Sequence, residues 1–214
     1  MSQRHTHPMR NFRHLPGFFD LPRQVELTLA IRAVIAKAPL FTPTMPRTGK
    51  PFSVEMTNCG QLGWVSDKAL GYRYQTMHPV TRQTWPAMPA VLVQLWCDLA
   101  QYEAPPEACL INYYRQGARM GSHQDRDEAD FTAPVLSVSL GDTAIFHVGG
   151  SKRADPKQRI MLSSGDILLL EGESRLAFHG IDRIRHGTST LLQSHGFPDG
   201  GRINLTLRRV SKPA

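Results

Sequence analysis

The sequence has little cysteine and no long apolar run. Its three cysteines, Cys59, Cys97 and Cys109, are widely spaced and form no CxxC pair, which argues against a disulfide framework and against a zinc knuckle. Sparse, unpaired cysteine is typical of a protein in the reducing cytoplasm. No apolar stretch is long enough to cross a membrane. Internal repeats and low-complexity linkers are also absent, so we expect a single domain.

Basic residues outnumber acidic ones. The 214 residues include 25 Lys and Arg against 18 Asp and Glu, which gives a net charge of +7. A basic surface concentrates polyanions, and nucleic acid is the commonest polyanion in a cell, although many soluble proteins are basic for other reasons. The start of the chain carries Arg4, Arg10 and Arg13 but no continuous apolar core. We therefore predict a flexible basic arm over residues 1–16 rather than a signal peptide.

Helix signals come first along the chain and strand signals follow. Asp20 and Pro22 predict a helix to about residue 36, because Asp caps helices and Pro is tolerated in the first turn. Residues 39–51 are predicted to form a loop, and an apolar stripe predicts a second helix over about 89–102. Short strands separated by Gly-rich turns are then predicted at 108–114, 134–140, 143–148, 159–162, 167–170, 176–179 and 202–210. This order predicts an α+β chain with a mostly antiparallel sandwich or jelly roll.

The central motif is His123-Gln124-Asp125. Alternate side chains of an extended segment share a face, so this imidazole and this carboxylate can converge on a metal. His179, at the end of a predicted strand, is the candidate third ligand; two His and one carboxylate form the facial triad of non-haem Fe(II). Chance alone also produces His-x-Asp pairs, and strand-end histidines can have purely structural roles. His147 and His195 are competing ligands, but neither belongs to a second motif.

The last predicted strand alternates polar and apolar residues. Its polar face carries Arg202, Asn204, Thr206 and Arg208, and its apolar face carries Ile203, Leu205 and Leu207. A pocket wall with two guanidiniums suits a dicarboxylate, because the planar fork of Arg pairs with carboxylate through two parallel hydrogen bonds. A strand whose polar face simply meets water shows the same alternation, so the pattern alone leaves both interpretations open.

Several longer segments occur together in one order. They are 56–60 (MTNCG), 63–64 (GW), 85–89 (WPAMP), 109–112 (CLIN), 123–128 (HQDRDE), 137–141 (SVSLG), 172–176 (GESRL) and 202–208 (RINLTLR). Their sequence and order resemble the AlkB family of nucleic-acid dealkylating dioxygenases, from about residue 51 to Arg208. The resemblance implies a double-stranded β-helix, or jelly roll, with N-terminal helices packed on the β core. It also implies one dioxygenase domain over 17–214, with a nucleotide-recognition lid at about 51–88 and a jelly-roll core at about 108–210.

The same resemblance assigns the cofactors. It implies that His123, Asp125 and His179 hold Fe(II), with 2-oxoglutarate and O2 as co-substrates. Arg202 would pair with the distal carboxylate of 2-oxoglutarate and Arg208 would contact its chelating end. The residues implied to assist them are Asn112, Tyr114 and Asn204.

The implied reaction is oxidative dealkylation of bases such as 1-methyladenine and 3-methylcytosine in DNA, with RNA as a second substrate. It converts 2-oxoglutarate to succinate and releases the methyl group as formaldehyde. The base must be single-stranded or flipped out of a duplex. By resemblance the residues that handle it are Trp64, Tyr72, Tyr74, Asp127 and Arg153. Asp127 could instead orient His123.

The sequence also suggests phosphate contacts, an oligomeric state and two alternative functions. Lys152, Arg153, Lys157 and Arg159 would contact phosphates, unless they form only a solvated charged loop. We expect a monomer that prefers single strands. The alternatives are a 2-oxoglutarate-dependent hydroxylase of a protein or small molecule and a non-catalytic nucleic-acid-binding jelly roll. The complete set of implied metal and 2-oxoglutarate residues argues against the binding module.

Overall fold

The computed structural model describes residues 12–213, which form an antiparallel β structure with helices on one side. The helices are α1 (Leu21–Lys37), α2 (Ala90–Leu99) and α3 (Leu191–Ser194). The strands are β1 (Phe12–Leu15), β2 (Glu55–Gly60), β3 (Gly63–Asp67), β4 (Gly71–Gln75), β5 (Ala108–Tyr114), β6 (Met120–His123), β7 (Val135–Gly141), β8 (Thr143–Val148), β9 (Gln158–Leu162), β10 (Ile167–Leu170), β11 (His179–Arg185) and β12 (Arg202–Arg208).

Two sheets enclose the first part of the core. The larger sheet has the order β1-β10-β7-β12-β5-β2 and the smaller one the order β6-β11-β8-β9, while β3 and β4 form a separate hairpin. Leu110 and Val135 of the larger sheet pack in one apolar cluster with Phe146 and Ile181 of the smaller sheet. The predicted jelly roll is confirmed.

The helices cover the other face of the larger sheet. Leu27 and Ile31 of α1 and Trp96 of α2 pack with Leu136 and Leu205 of the sheet. The Asp20 side chain caps α1 by accepting a hydrogen bond from the Arg23 N–H, as the sequence predicts. Helix α2 ends earlier than predicted because Gln101 adopts a left-handed backbone conformation, with φ of 49°. The predicted packing of helices on the β core is confirmed.

Strand β12 lies inside the larger sheet, with one face toward the helices and the other toward the smaller sheet. Ile203, Leu205 and Leu207 are fully buried against the helices. Their polar neighbours face the space between the sheets, where Arg202 and Arg208 line a cavity. The alternation in the sequence is therefore the wall of a pocket and not a solvent-facing strand.

Besides the early ends of α2 and of β12, which stops at Arg208, two other predicted segments are wrong. The strand predicted at 176–179 begins at His179 instead of ending there, since residues 172–177 are occupied by a tight turn. The flexible arm predicted over 1–16 is wrong for Phe12–Leu15, which pair with Ile167–Leu170 at the edge of the larger sheet. Residues 1–11 of that arm lie outside the described part of the chain.

The predicted lid also differs from the folded elements. Within the region 51–88, β2 belongs to the larger sheet, where Cys59 pairs with Cys109 of β5. The hairpin β3–β4 forms a two-stranded sheet of its own, and Trp64 of β3 is hydrogen-bonded to Asn58 of β2. We use the name lid hairpin for Gly63–Gln75 from here on. None of the helices in residues 12–213 has the length and apolar character needed to cross a bilayer.

Candidate active site

His123, Asp125 and His179 converge at one end of the smaller sheet. His123 ends β6, His179 begins β11, and the two residues are paired across the strands. The three side chains offer ligand atoms that all lie within 4.8 Å of one another. His123 Nε2 lies 3.8 Å and His179 Nε2 lies 3.7 Å from the Asp125 carboxylate. The structure thus brings together the three ligands that the sequence predicts.

Backbone carbonyls orient both imidazoles. His123 Nδ1 lies 2.9 Å from the Gly121 carbonyl oxygen and His179 Nδ1 lies 3.0 Å from that of Ala177. A carbonyl can only accept, so each Nδ1 carries a proton and each Nε2 is left with a lone pair for a metal. Burial lowers the pKa of His179 to about 4, which keeps this ring neutral at physiological pH.

A glycine allows β6 and β11 to approach each other here. A Cβ added to Gly180 would lie 2.6 Å from the Met120 carbonyl oxygen and 2.9 Å from that of Gly121. Such contacts are too short for a real side chain, so Gly180 is required for the close approach that sets His123 beside His179. Their ring centroids are 4.5 Å apart.

Asp125 is a buried and ionised carboxylate. Burial by itself would raise the pKa of this group, but the positive charge of Arg208, which donates to it directly, outweighs burial and the pKa is lowered. Arg208 Nη2 donates a hydrogen bond of 2.8 Å to Asp125 Oδ1. Two imidazoles that present Nε2 and one carboxylate are a donor set that suits a divalent transition metal with open coordination positions.

Arg202 is a buried cation at the other end of the same cavity. It donates to Ser139 Oγ at 2.8 Å and to the Leu162 carbonyl oxygen at 3.1 Å, and burial lowers its pKa to about 10. Within residues 12–213 no carboxylate forms an ion pair with it, and its Nε has no hydrogen-bond partner. A buried charge without a counterion is costly, so the site fits an anionic ligand group.

The remaining predicted 2-oxoglutarate residues line the cavity between Arg202 and the triad. Tyr114 pairs with Arg202 across β5 and β12, and Asn112 pairs with Asn204. The Asn112 Oδ1 atom is buried without a partner, and burial raises the pKa of Tyr114 to about 12, so its hydroxyl remains a donor. The cavity has a volume of about 510 Å³. Its polar groups therefore match a metal at one end and a carboxylate ligand at the other.

Aromatic side chains surround the cavity mouth. Trp64 and Tyr72 of the lid hairpin stack with ring centroids 5.5 Å apart and an interplanar angle of 23°. Trp64 Nε1 donates a hydrogen bond of 2.8 Å to Asp127 Oδ2. Met45 and Phe52, from the loop before β2, complete this wall. The mouth therefore presents flat apolar surfaces beside a carboxylate.

Arg153 lines the cavity, and its contact with the nucleotide stays a prediction. Its Nη1 donates to the Ser122 carbonyl oxygen at 2.8 Å, and its guanidinium lies 4.8 Å from the centre of the Phe178 ring. Lys152 and Lys157 on the same loop are exposed. Arg159 is exposed as well but pairs with Asp182 at 2.8 Å, and its phosphate contact stays a prediction.

The geometry corrects two other expectations and agrees with the sequence in disfavouring the competing metal ligands. Tyr74 does not line the cavity; its hydroxyl donates to Glu128 and accepts from Arg208. Asp127 does not orient His123, because the Gly121 carbonyl does. The competing ligands also have other partners: His147 pairs with Asp182, and the His195 ring bonds to its own helix.

Sequence reasoning missed the buried pair Glu128 and Arg175. Arg175 donates to the Asp125 carbonyl oxygen at 2.7 Å, to Ala133 O at 2.8 Å and to Glu128 at 3.0 Å. It thus fixes the segment that carries Asp125. Both residues stand in segments of the resemblance, but no local pattern could indicate that side chains so far apart in sequence meet.

Comparisons with known proteins agree with this geometry. A sequence model described as the 2OG-Fe(II) oxygenase superfamily matches residues 11–208. The alpha-ketoglutarate-dependent dioxygenase AlkB homolog of Caulobacter vibrioides is 54% identical over 195 residues, which are 91% of this chain and 86% of the relative. The alpha-ketoglutarate-dependent dioxygenase AlkB of Escherichia coli is 42% identical over 192 residues, which are 87% of this chain and 85% of that protein. Among solved structures, "The structure of OsALKBH1" superposes with a TM-score of 0.77 at 29% identity, and covers 95% of this chain and 100% of that one.

Proposed function

The chain belongs to the AlkB family within the 2OG-Fe(II) oxygenase superfamily, and we propose that it removes alkyl groups oxidatively from damaged bases of nucleic acid. One observation carries the proposal. The cavity that holds the His–Asp–His set is lined by the stacked rings of Trp64 and Tyr72 and by the Asp127 carboxylate, to which Trp64 is hydrogen-bonded. A flat base fits such a mouth better than an extended peptide does.

His123, Asp125 and His179 would hold Fe(II), and the polar wall of β5 and β12 would hold 2-oxoglutarate. Fe(II), 2-oxoglutarate and O2 together supply the oxidising power that hydroxylates a C–H bond, with succinate and carbon dioxide as the other products. Arg202 would pair with the distal carboxylate and so compensate its own buried charge. Asn112, Tyr114 and Asn204 would bond to the same ligand, and Arg208 would face its chelating end.

The negative charge of Asp127 at the cavity mouth indicates which damaged bases would bind. We propose cationic bases such as 1-methyladenine and 3-methylcytosine, because a positive ring is attracted both to an aromatic face and to the Asp127 carboxylate. Once the methyl group is hydroxylated, the N–C bond breaks, formaldehyde leaves with the loss of a proton, and the neutral base is restored. No nucleophilic side chain is needed.

The surroundings of the mouth support a nucleic-acid strand. Arg153 lines the cavity, and the exposed Lys152 and Lys157 lie on the same loop, where phosphates would pass. We propose that alkylated DNA is the main substrate and that single strands are preferred, with RNA as a second substrate. Oligonucleotide affinity should then fall steeply with salt, with a smaller slope in a Lys152→Ala, Lys157→Ala variant. Equal slopes would remove this loop from the interface.

We further propose a cytoplasmic monomer. The described cysteines are all free, and Cys59 and Cys109 are buried next to each other without a disulfide, which suits a reducing compartment. Light scattering on the purified chain tests the monomer, since a dimer would double the mass.

Turnover of 2-oxoglutarate tests the proposed substrate class. Succinate formation is measured with Fe(II) and O2 in the presence of a single-stranded oligonucleotide that contains one 1-methyladenine, and again with the unmodified oligonucleotide. A dealkylase is expected to form succinate much faster with the methylated strand. Equal rates with both strands would instead favour the alternative, a hydroxylase of a protein or small molecule.

Asp127→Asn tests the lesion class. The asparagine oxygen can still accept the hydrogen bond from Trp64, so the variant changes the charge and keeps the shape. We expect the preference for 1-methyladenine over the neutral lesion 1-methylguanine to fall about tenfold, measured as kcat/KM for two otherwise identical oligonucleotides. An unchanged preference would show that Asp127 does not select the charge of the base.

A further inference from the structure

A closed ring of buried hydrogen bonds connects the lid hairpin to the carboxylate of the proposed metal site. The Tyr74 hydroxyl donates to Glu128 Oε1 at 2.5 Å and accepts from Arg208 Nη1 at 3.2 Å. Arg208 also donates to Asp125 Oδ1 at 2.8 Å. On the other side, Arg175 joins the second Glu128 oxygen to the Asp125 carbonyl. Tyr74 is the member of this ring that comes from the lid hairpin.

The charges of the ring balance without Tyr74. Two guanidiniums, Arg175 and Arg208, face two carboxylates, Asp125 and Glu128, and all four side chains are buried. The neutral hydroxyl of Tyr74 therefore adds no charge. It completes the hydrogen bonding of one oxygen of Glu128 and one nitrogen of Arg208. Burial also raises the pKa of Tyr74 far above its usual range, so the hydroxyl keeps the proton that Glu128 accepts.

Movement of the lid hairpin would break both bonds at once. Glu128 Oε1 and Arg208 Nη1 would each lose a partner in a buried environment, where an unsatisfied charged group is costly. Arg208 Nε has no hydrogen-bond partner in the described structure, and only its ion pair with Glu128 Oε1, at 3.5 Å, would still join these two side chains directly. A closed lid hairpin thus holds Arg208 in place, and a fixed Arg208 in turn holds the lid hairpin closed.

We propose that Tyr74 is a positioning residue that couples closure of the lid hairpin to Arg208 and, through it, to the ligands at the iron and 2-oxoglutarate end of the cavity. The inference rests on the proposed function for the identity of those ligands. Coupling of two equilibria is reciprocal: ligands that fix Arg208 favour the closed lid hairpin, and a base held by the lid hairpin favours the ligands. The hydroxyl acts without touching the base.

Hydrogen exchange of the lid hairpin tests the coupling without any nucleic acid. Amide exchange of residues 63–75 is followed by mass spectrometry for the full chain alone and with Mn(II) plus 2-oxoglutarate, where Mn(II) replaces the oxygen-sensitive Fe(II). In the wild type the ligands are expected to slow exchange roughly fivefold or more. In Tyr74→Phe, which lacks only the hydroxyl, this slowing is expected to disappear although the same ligands are shown to bind by calorimetry.

Tyr113→Phe is the matched control. In the wild type the Tyr113 hydroxyl donates a buried hydrogen bond of 2.8 Å to the Gly200 carbonyl oxygen, on the other face of β5. The variant therefore loses a comparable hydrogen bond away from the ring of hydrogen bonds around Tyr74. It should retain the slowing seen in the wild type, and melting temperatures of all variants check their folding. The proposal is overturned if the wild type shows no slowing, or if Tyr74→Phe keeps it. A failure of the proposed function would appear instead as absent demethylation, which does not alter the exchange result.

Discussion

At the scale of single residues, Arg202 shows most clearly that the cavity is built for a ligand. Its guanidinium is fully buried and is held by a hydroxyl and by backbone carbonyls instead of a carboxylate. In a folded protein such a charge is tolerated when a ligand or partner compensates it. The distal carboxylate of 2-oxoglutarate is of the right charge and carries two oxygens for the fork of the side chain.

Arg202→Met should abolish most of the affinity for 2-oxoglutarate and cost little stability in the ligand-free protein. Loss of charge-assisted hydrogen bonds is expected to raise the dissociation constant about 10–100-fold. The melting temperature should change little, since an uncompensated buried charge is also removed. Calorimetric titration with Mn(II) present measures the affinity. Arg159→Met, on the outside of the smaller sheet, is the control. Unchanged affinity in Arg202→Met would place the dicarboxylate elsewhere.

The sequence predicts which residues are ligands better than it predicts how deeply a side chain is placed in the fold. The His-x-Asp spacing and the alternation of β12 identify Asp125 and Arg202, because both patterns depend on local backbone geometry. Tyr72 and Tyr74 have the same spacing and share a face of β4, yet Tyr72 lies at the mouth and Tyr74 behind it. That difference depends on how the lid hairpin sits on the core, which no local pattern encodes.

At the scale of elements, the metal site depends on how closely β6 and β11 approach. Strand β6 is short and reads MGSH, a sequence with little strand propensity, and it was not predicted. Pairing with β11 holds it in place. Elements of this kind escape sequence analysis because partner strands, and not their own residues, stabilise them.

Gly180→Ala should weaken metal binding more than it weakens the fold. The added methyl group would meet the backbone oxygen of Met120 at 2.6 Å, so β6 must move and carry His123 with it. We expect the affinity for Mn(II) to fall roughly 10–100-fold, measured by calorimetry. Gly121→Ala is the matched control, because nothing lies within 4 Å of its added Cβ. Equal affinities in the two variants would contradict this role of Gly180.

The Glu107 side chain holds residues 210–211, which follow β12, by hydrogen bonds. Its carboxylate accepts hydrogen bonds from the Val210 N–H at 2.8 Å and from the Ser211 N–H at 2.7 Å. The Ala129 N–H, next to Glu128, in turn donates to the Val210 carbonyl oxygen. Burial would raise the pKa of Glu107, but the bonds from Ser211 and Val210 outweigh it and lower the pKa. A group whose folded pKa is lowered stabilises the protein above its unfolded pKa of about 4.3 and loses this effect as the pH falls.

Glu107→Gln should therefore destabilise the protein in a pH-dependent way. At pH 7 we expect a loss of about 1–2 kcal/mol in the free energy of unfolding, measured by urea denaturation. The difference from the wild type should shrink as the pH falls below about 4, because the unfolded wild type binds a proton at this carboxyl first and the folded protein does so at lower pH. Glu103→Gln, on the exposed side of the same loop, is the control and should show little change. A difference that stays constant down to pH 3 would mean that the charge is unimportant.

At the scale of the whole molecule, the two sheets and the lid hairpin each contribute a different part of the cavity. The larger sheet provides the polar wall with Arg202 that we propose for 2-oxoglutarate, the smaller sheet provides the two imidazoles, and the lid hairpin provides aromatic rings that line the cavity. The order of helix and strand signals predicts the architecture, because it depends on local periodicity. The meeting of Arg175 with Glu128, and of Tyr74 with Arg208, could not be predicted, since it arises when distant segments pack.

The measurement that tests the enzyme most directly is loss of a methyl group from a defined base. Purified protein is incubated with Fe(II), 2-oxoglutarate, ascorbate and an oligonucleotide that carries one 1-methyladenine, and the oligonucleotide is weighed by mass spectrometry. Asp125→Ala, which lacks the carboxylate of the triad, is treated in parallel. We predict that the wild type removes the mass of the methyl group and that Asp125→Ala does not. An oligonucleotide left unchanged by the iron-loaded wild type, or demethylated equally by both proteins, would contradict the proposed site and its function.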